Sequence, residues 1–272
     1  MPAAVAGTDF TTIPAWATSA EDAGFSSLAV LDRIAYRNAD PLLCLAAAAG
    51  ATSRIGLTTA VLLAPLRHKG ALLAKQAATL NALSGGRFTL GLGVGGRADD
   101  FEAAGVEQSK RGRIMDQMLE EADAVWRGDT PIGPVSRPRV LLGGTAPAAF
   151  ARAAKWGEGW VSGGGGPVMF AANAEQARKA WADAGREGEP RLVALHYFAL
   201  GDDAEQIARS YILDYYAFLG PFAERVADGA ATDPGRIKGV VRAFEDAGCD
   251  ELLLYPCRGD VAQVALLAEA LR

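Results

Sequence analysis

The sequence is poor in the side chains that most often build metal centres and covalent cross-links. Its 272 residues contain two histidines, His68 and His196, and three cysteines, Cys44, Cys249 and Cys257. An odd cysteine count without CxxC spacing argues against a disulfide framework or a zinc site. No metal site is expected, and the thiols read as reduced core groups. Long apolar runs are also missing. The longest, around Pro41 to Ala49, is too short to span a bilayer, and the amino terminus has no basic leader region. A cytoplasmic protein without membrane contact is therefore expected. Positive charge is not in excess either: the formal net charge is -5 and the pI is near 5.2. No broad basic surface exists to neutralise phosphates, which argues against nucleic acid as a partner. A hydrophobic fraction of 50% with 22% charged residues suits one large α/β domain over residues 1–272.

What is present is alternation. Strand-length apolar runs occur near Ser27 to Leu31, Ile55 to Leu63, Phe88 to Val94, Val140 to Leu142, Gly159 to Ser162, Leu192 to Leu200 and Glu251 to Tyr255. Stretches of helical period separate them, and two more helices, Pro234 to Ala247 and Val261 to Leu271, lie towards the end of the chain. Strict alternation with nearly continuous apolar strands implies a parallel sheet covered on both faces. A barrel and an open doubly wound sheet both satisfy this pattern. Seven strands, with a short one at Pro2 to Val5, approach the eight of a (β/α)8 barrel. The stretch Gly128 to Pro138 reads as a loop between halves.

The segment Gly85 to Gly96 contains a literal GxGxxG at Gly91, Gly93 and Gly96. A dinucleotide fingerprint sits in a turn after a strand and opens into a helix, whereas these glycines begin inside the strand itself. Alternation puts Gly91, Gly93 and Gly95 on one face and Phe88, Leu90, Leu92 and Val94 on the other, which should meet the helices. Two readings of the bare face are open: a flat ring such as an isoalloxazine approaches the backbone there, or small residues relieve crowding in a tight barrel interior.

A second signal runs from Ile55 through Thr58-Thr59-Ala60-Val61 to Pro65-Leu66-Arg67-His68, followed by Ala74-Lys75-Gln76-Ala77-Ala78-Thr79-Leu80-Asn81-Ala82-Leu83-Ser84-Gly85-Gly86-Arg87. A third is Leu141-Leu142-Gly143-Gly144-Thr145-Ala146-Pro147, then Ala153 to Trp160. With Glu21-Asp22-Ala23-Gly24-Phe25, these segments resemble the luciferase-like flavin-dependent oxidoreductases over almost the whole chain. Asn81 stands where that family usually has Asp, and Lys69 where it has Pro.

The resemblance implies a luciferase-like (β/α)8 TIM barrel whose first strand is short or missing, the chain beginning just after the place where that strand would run. It implies a flavin or deazaflavin at the carboxyl ends of the strands. A non-prolyl cis peptide pressing on the middle ring would fall at Thr59-Ala60, beside Val61, with Gly91 and Gly93 behind it. Gly143, Gly144 and Thr145 would hold the phosphate. Their own chemistry agrees: two glycines let backbone N–H groups converge, a hydroxyl follows, and Pro147 is tolerated in the first turn of a helix whose positive end faces the anion. A capped turn without ligand is the plainer reading of that motif alone.

Two side chains are catalytic candidates. Where the family commonly has Asp-His or Glu-His, this chain has Asp32-Arg33. Arginine does not donate protons near neutrality, so Arg33 would hold an anionic substrate or support negative charge, or else pair with Asp32 or Asp40 at the rim. His196 lies in an apolar strand, where a buried imidazole needs a partner or a role. His68 reads as mainly structural, Arg258 as a weaker phosphate or carboxylate candidate, and Tyr197, Tyr211, Tyr215, Tyr216 and Phe218 as helix core or as a pocket wall. The implied activity is a two-component monooxygenase taking reduced FMN from a partner reductase and reacting it with O2 and a small organic substrate, in a homodimer. An F420-dependent hydride-transfer enzyme and a non-catalytic flavin-binding relative are the alternatives.

Overall fold

A computed structural model describes residues 1–133 and 135–272; Pro134, within the stretch read as a loop, lies outside the described residues. Eight parallel strands form one sheet: β1 (Ser27–Val30), β2 (Gly56–Thr59), β3 (Leu62–Leu63), β4 (Phe88–Gly93), β5 (Arg139–Gly143), β6 (Gly159–Val161), β7 (Arg191–Phe198) and β8 (Glu251–Pro256). Their order is β1-β2-β4-β5-β6-β7-β8, with β3 also on β4, so β2 and β3 are two halves of one interrupted strand. Seven strand positions curl into a nearly closed barrel wrapped by helices. Residues Pro2 to Val5 form no strand; they make a buried turn in which Val5 N–H donates to the Pro2 carbonyl. At the resulting seam, the Ser26 and Ser27 hydroxyls of the β1 side donate to Glu251 Oε1 of β8, at 3.1 and 2.5 Å, and the Met1 amine donates to the Ala29 carbonyl.

Side-chain alternation divides the core in two. Leu28, Val30, Leu57, Phe88, Leu90, Leu92, Val140, Leu142, Trp160, Leu192 and Ala194 point outwards and pack with the helices. Ala29, Leu31, Ala60, Leu141, Val161, Val193, Leu195, Tyr197, Leu253 and Tyr255 fill the interior. Both faces of each strand are therefore apolar, which is why the strands read as continuous runs.

Several polar residues hold loops at the strand ends. Asp40 caps α2 (Pro41–Ala51), accepting from Leu42 and Leu43 N–H, with Pro41 in the first turn. Arg87 spreads its guanidinium over the carbonyls of Ala49, Thr52, Ile55 and Ser84, satisfying the ends of α2 and α3 (Gly70–Leu83). Glu21, at the end of α1 (Ile13–Asp22), accepts from the N–H groups of Ser53, Arg54 and Ile55 ahead of β2.

Candidate active site at the carboxyl ends of the strands

The interruption between β2 and β3 is a bulge. Thr58 pairs with Thr89 and Leu62 with Leu92, so four steps on one strand face three on the other. Thr59 repairs the broken ladder with its side chain: its buried hydroxyl donates to the Gly91 carbonyl at 2.8 Å and accepts from Gly91 N–H at 2.9 Å. The cis peptide lies at Ala60-Val61, one residue beyond the expected Thr59-Ala60 step. Thr59 is still held by β4 and Ala60 N–H still donates to the Val30 carbonyl, so the chain leaves the ladder only afterwards.

This bulge also decides what meets the glycine face of β4. A Cβ on Gly91 would lie 2.0 Å from the Thr59 carbonyl oxygen, and one on Gly93 would lie 2.5 Å from Val61 Cγ2. A Cβ on Gly143 would lie 2.9 Å from Val61 Cγ1. The space beside these glycines is thus taken by the protein's own chain, not left open for a flat ring. Their absence of side chains lets the segment Thr59 to Val61 move inwards, and Val61 stays partly accessible.

On the next strand, Gly143, Gly144 and Thr145 emerge at the same end of the barrel, with Thr145 exposed. Gly144 has φ +127°, and a Cβ there would meet Ala149 at 2.9 Å. The helix that follows, α6 (Pro147–Trp156), has Ala146 as its N-cap and no side-chain capping bond, so no side chain occupies the positive end of its dipole. The chemistry of that turn fits a phosphate: Gly143 and Gly144 carry no side chains, and exposed Thr145 supplies a hydroxyl ahead of α6.

The mouth is covered by aromatic rings. Tyr197 of β7 and Tyr255 of β8 rise from the interior and meet Tyr211 and Tyr215 of α8 (Ala204–Tyr215) and Tyr216 just after it. Tyr211 and Tyr215 stack at 5.7 Å, and the hydroxyls of Tyr197 and Tyr216 lie 2.9 Å apart. Burial pushes the phenols of Tyr197, Tyr211, Tyr215, Tyr216 and Tyr255 upwards, so all five stay neutral. The Tyr255 hydroxyl is buried and unpaired among the described residues. The aromatic set is therefore a lid on the barrel and not merely helix core.

Arg33 sits at this rim, only 6% exposed. Its Nε donates to Asp100 Oδ2 at 2.6 Å and its Nη2 to Asp99 Oδ2 at 2.7 Å, both on α4 (Ala98–Ala103). Asp32 and Asp40, the partners that proximity suggests, instead bind Arg67, each at 2.7 Å. Arg67 is a residue that sequence reasoning passed over. It stands inside the Arg67-His68 motif and ties the ends of β1 and β3, since Asp32 also accepts from Leu63 N–H. His68 itself is exposed.

His196 requires a correction. On β7 the residues Val193, Leu195 and Tyr197 face the interior, so alternation turns His196 outwards to the helices, with its ring 6.0 Å from Phe244. Burial lowers its pKa and Nε2 is unpaired among the described residues, but it does not meet Arg33 or the glycine turn at the mouth. Arg258 lies past β8 and donates to the Asp202 carbonyl. Among the described residues no cluster of ligating side chains suits a metal, and no helix is long and apolar enough to cross a membrane.

A parallel barrel with a bulged third strand position, an uncapped glycine turn and an aromatic lid, all at the carboxyl ends, describes a barrel built to bind a ligand at its top face. The family described as luciferase-like monooxygenase matches residues 2–272, and the chain belongs to it. An uncharacterised protein of Mycobacterium tuberculosis is 36% identical over 202 residues, covering 60% of this chain and 69% of the relative. The FMNH2-dependent dimethylsulfone monooxygenase of Pseudomonas fluorescens is 25% identical over 204 residues, covering 68% of this chain and 55% of that enzyme. An F420-dependent secondary alcohol dehydrogenase, solved with an F420-acetone adduct, superposes with a TM-score of 0.83 at 18% identity, over 97% of this chain and 96% of its own. That likeness establishes the shared barrel. The chain is therefore a member of the luciferase-like monooxygenase family, and an FMNH2-dependent enzyme is among its relatives.

Proposed function

We propose that the protein is an FMN-dependent monooxygenase of a small organic substrate, receiving reduced flavin from a separate reductase. The observation that carries this reading is the state of Arg33. It occupies the position where a histidine often serves as proton partner to a deazaflavin, and it is locked by two carboxylates. The tyrosines at the mouth are held neutral by burial, and His196 faces outwards. Such a rim favours orienting and shielding a ligand.

Gly143, Gly144 and Thr145 would hold the phosphate at the start of α6, and Ala60 and Val61 would present the bulge to the ring. Gly91 and Gly93 support that bulge from behind, and Thr59 ties it to β4. Reduced flavin, when bound, supplies the two-electron chemistry with O2. The protein supplies position, an apolar aromatic cover over the barrel end, and the Tyr255 hydroxyl, which is unpaired among the described residues, as a candidate donor.

Hydride transfer with F420 is the second reading. It is favoured by the compact loops, which let the chain match a dehydrogenase over 96% of that enzyme's length. A homodimer through the outer helices is also inferred, with exposed Leu43 of α2 and Leu72 of α3 as contact residues. Titration of the purified chain with FMN and with F420, followed by tryptophan quenching, tests the assignment. Saturable binding of FMN, with substrate-dependent O2 consumption when a reductase is added, is the expected result. Binding of F420 alone selects hydride transfer, and binding of neither removes both readings.

A further inference from the structure

Arg33 and Arg97, both at the mouth, differ in one respect that assigns them different tasks. Arg33 is neutralised: Asp100, 1% exposed, and Asp99 both bind it. Arg97, which follows the glycine end of β4, has no carboxylate within salt-bridge distance among the described residues. Its guanidinium lies instead 4.1 Å from the ring centre of Phe218, 4.4 Å from Tyr215 and 5.5 Å from Tyr216. The nearest carboxylates on the packed elements are committed elsewhere: Asp99 and Asp100 to Arg33, and Asp214 to the Tyr36 hydroxyl at 2.5 Å.

Aromatic faces stabilise a guanidinium while leaving the N–H groups of its edge unused. They also exclude water from its flat surfaces, which strengthens any bond those N–H groups make. A planar fork of this kind matches a carboxylate through two parallel hydrogen bonds, and the surrounding rings match an apolar body attached to it. Arg37 and Arg258 in neighbouring rim loops also have no carboxylate partner among the described residues, but Arg97 is the one of the three set among aromatic rings, so an anion with an apolar body is best matched there. We propose that Arg97, with Tyr215, Tyr216 and Phe218 around it, selects the substrate: an organic carboxylate carrying a flat apolar body. The inference rests on reading the carboxyl ends of the strands as the active-site mouth, and it deepens that reading by naming a substrate class.

Benzoate and its neutral counterpart benzyl alcohol serve as probes, with binding measured by isothermal titration calorimetry on the full chain. The wild type is expected to bind benzoate more tightly than benzyl alcohol. Arg97→Gln should weaken benzoate by about tenfold or more, the size expected for a charge-assisted pair, and leave benzyl alcohol unchanged. Arg97→Lys, which keeps the charge but loses the fork, should recover part of the benzoate affinity, and thermal melts of both variants report whether the lid still packs. Equal benzoate affinity in wild type and Arg97→Gln overturns the proposal, as does a wild type with no preference for benzoate over benzyl alcohol. FMN titration of the same samples is a separate readout. Loss of FMN binding in the wild type counts against the monooxygenase assignment, whereas loss of benzoate discrimination counts against Arg97 alone.

Discussion

Thr59 and Gly91 exchange two hydrogen bonds through a single hydroxyl, which stands in for the backbone ladder where β2 breaks. Thr59→Val keeps the shape and removes both bonds, leaving the Gly91 N–H and carbonyl unpaired in the core. A loss of about 2–6 kcal/mol is expected, given roughly 1–3 kcal/mol for each of the two buried unsatisfied groups. Urea unfolding monitored by circular dichroism measures it. A Val variant as stable as wild type shows that the hydroxyl is dispensable.

Gly91→Ala tests the same contact from the other strand. Its Cβ has 2.0 Å to the Thr59 carbonyl oxygen, so the bulge must move outwards or the chain must fail to fold. Gly50→Ala in α2 is the control, with nothing within 4 Å of the new methyl. There the change should be neutral or stabilise by up to about 1 kcal/mol, as alanine favours helix. FMN titration is expected to show weakened binding for Gly91→Ala and wild-type binding for Gly50→Ala.

The Arg33–Asp100 pair is nearly dry, and removing one partner strands the other. Arg33→Met should cost about 3–5 kcal/mol in urea unfolding, because a buried carboxylate loses its counter-charge. Asp100 also accepts from Ile34 and Ala35 N–H, so Asp100→Asn retains an acceptor for them. The double variant should regain part of the loss. Additive losses in the double variant are inconsistent with a coupled pair.

Acid should act through Glu21. Backbone N–H groups of Ile55, then Arg54, bring its carboxyl from 4.5 down to about 2. A depressed carboxylate contributes stability that is present above its unfolded value and is lost as pH falls through the folded one. The contribution therefore disappears between pH 4.5 and about 2. Glu21→Gln should be less stable than wild type at neutral pH, and its unfolding midpoint should vary less with pH across that window. Parallel curves for the two proteins contradict this account.

The strand pattern was legible because each strand is apolar on both sides, and Phe88, Leu90 and Leu92 meet the helices as alternation requires. The same alternation, carried one strand further, would have placed His196 outside, since Val193, Leu195 and Tyr197 define the inner face. What fills the glycine face was not legible. It depends on the register of Thr58 with Thr89 and of Leu62 with Leu92, and a register belongs to two strands at once. The partners of Arg33 were not legible for a related reason. The near acids Asp32 and Asp40 are consumed by Arg67, and the acids that bind Arg33 lie 66 and 67 residues away on α4. Their meeting follows from barrel closure, which no local pattern encodes.

The seam between β1 and β8 leaves the ring split rather than welded. Side chains of Ser26, Ser27 and Glu251 clasp it at one end, where every other neighbouring pair of strands is joined along its backbone. Amides on the two facing edges thus lack the mutual protection their counterparts enjoy. Slow breathing of the barrel should begin as a parting along this line, on the far side from the glycine turn, so that the proposed cradle stays intact while the wall behind it loosens.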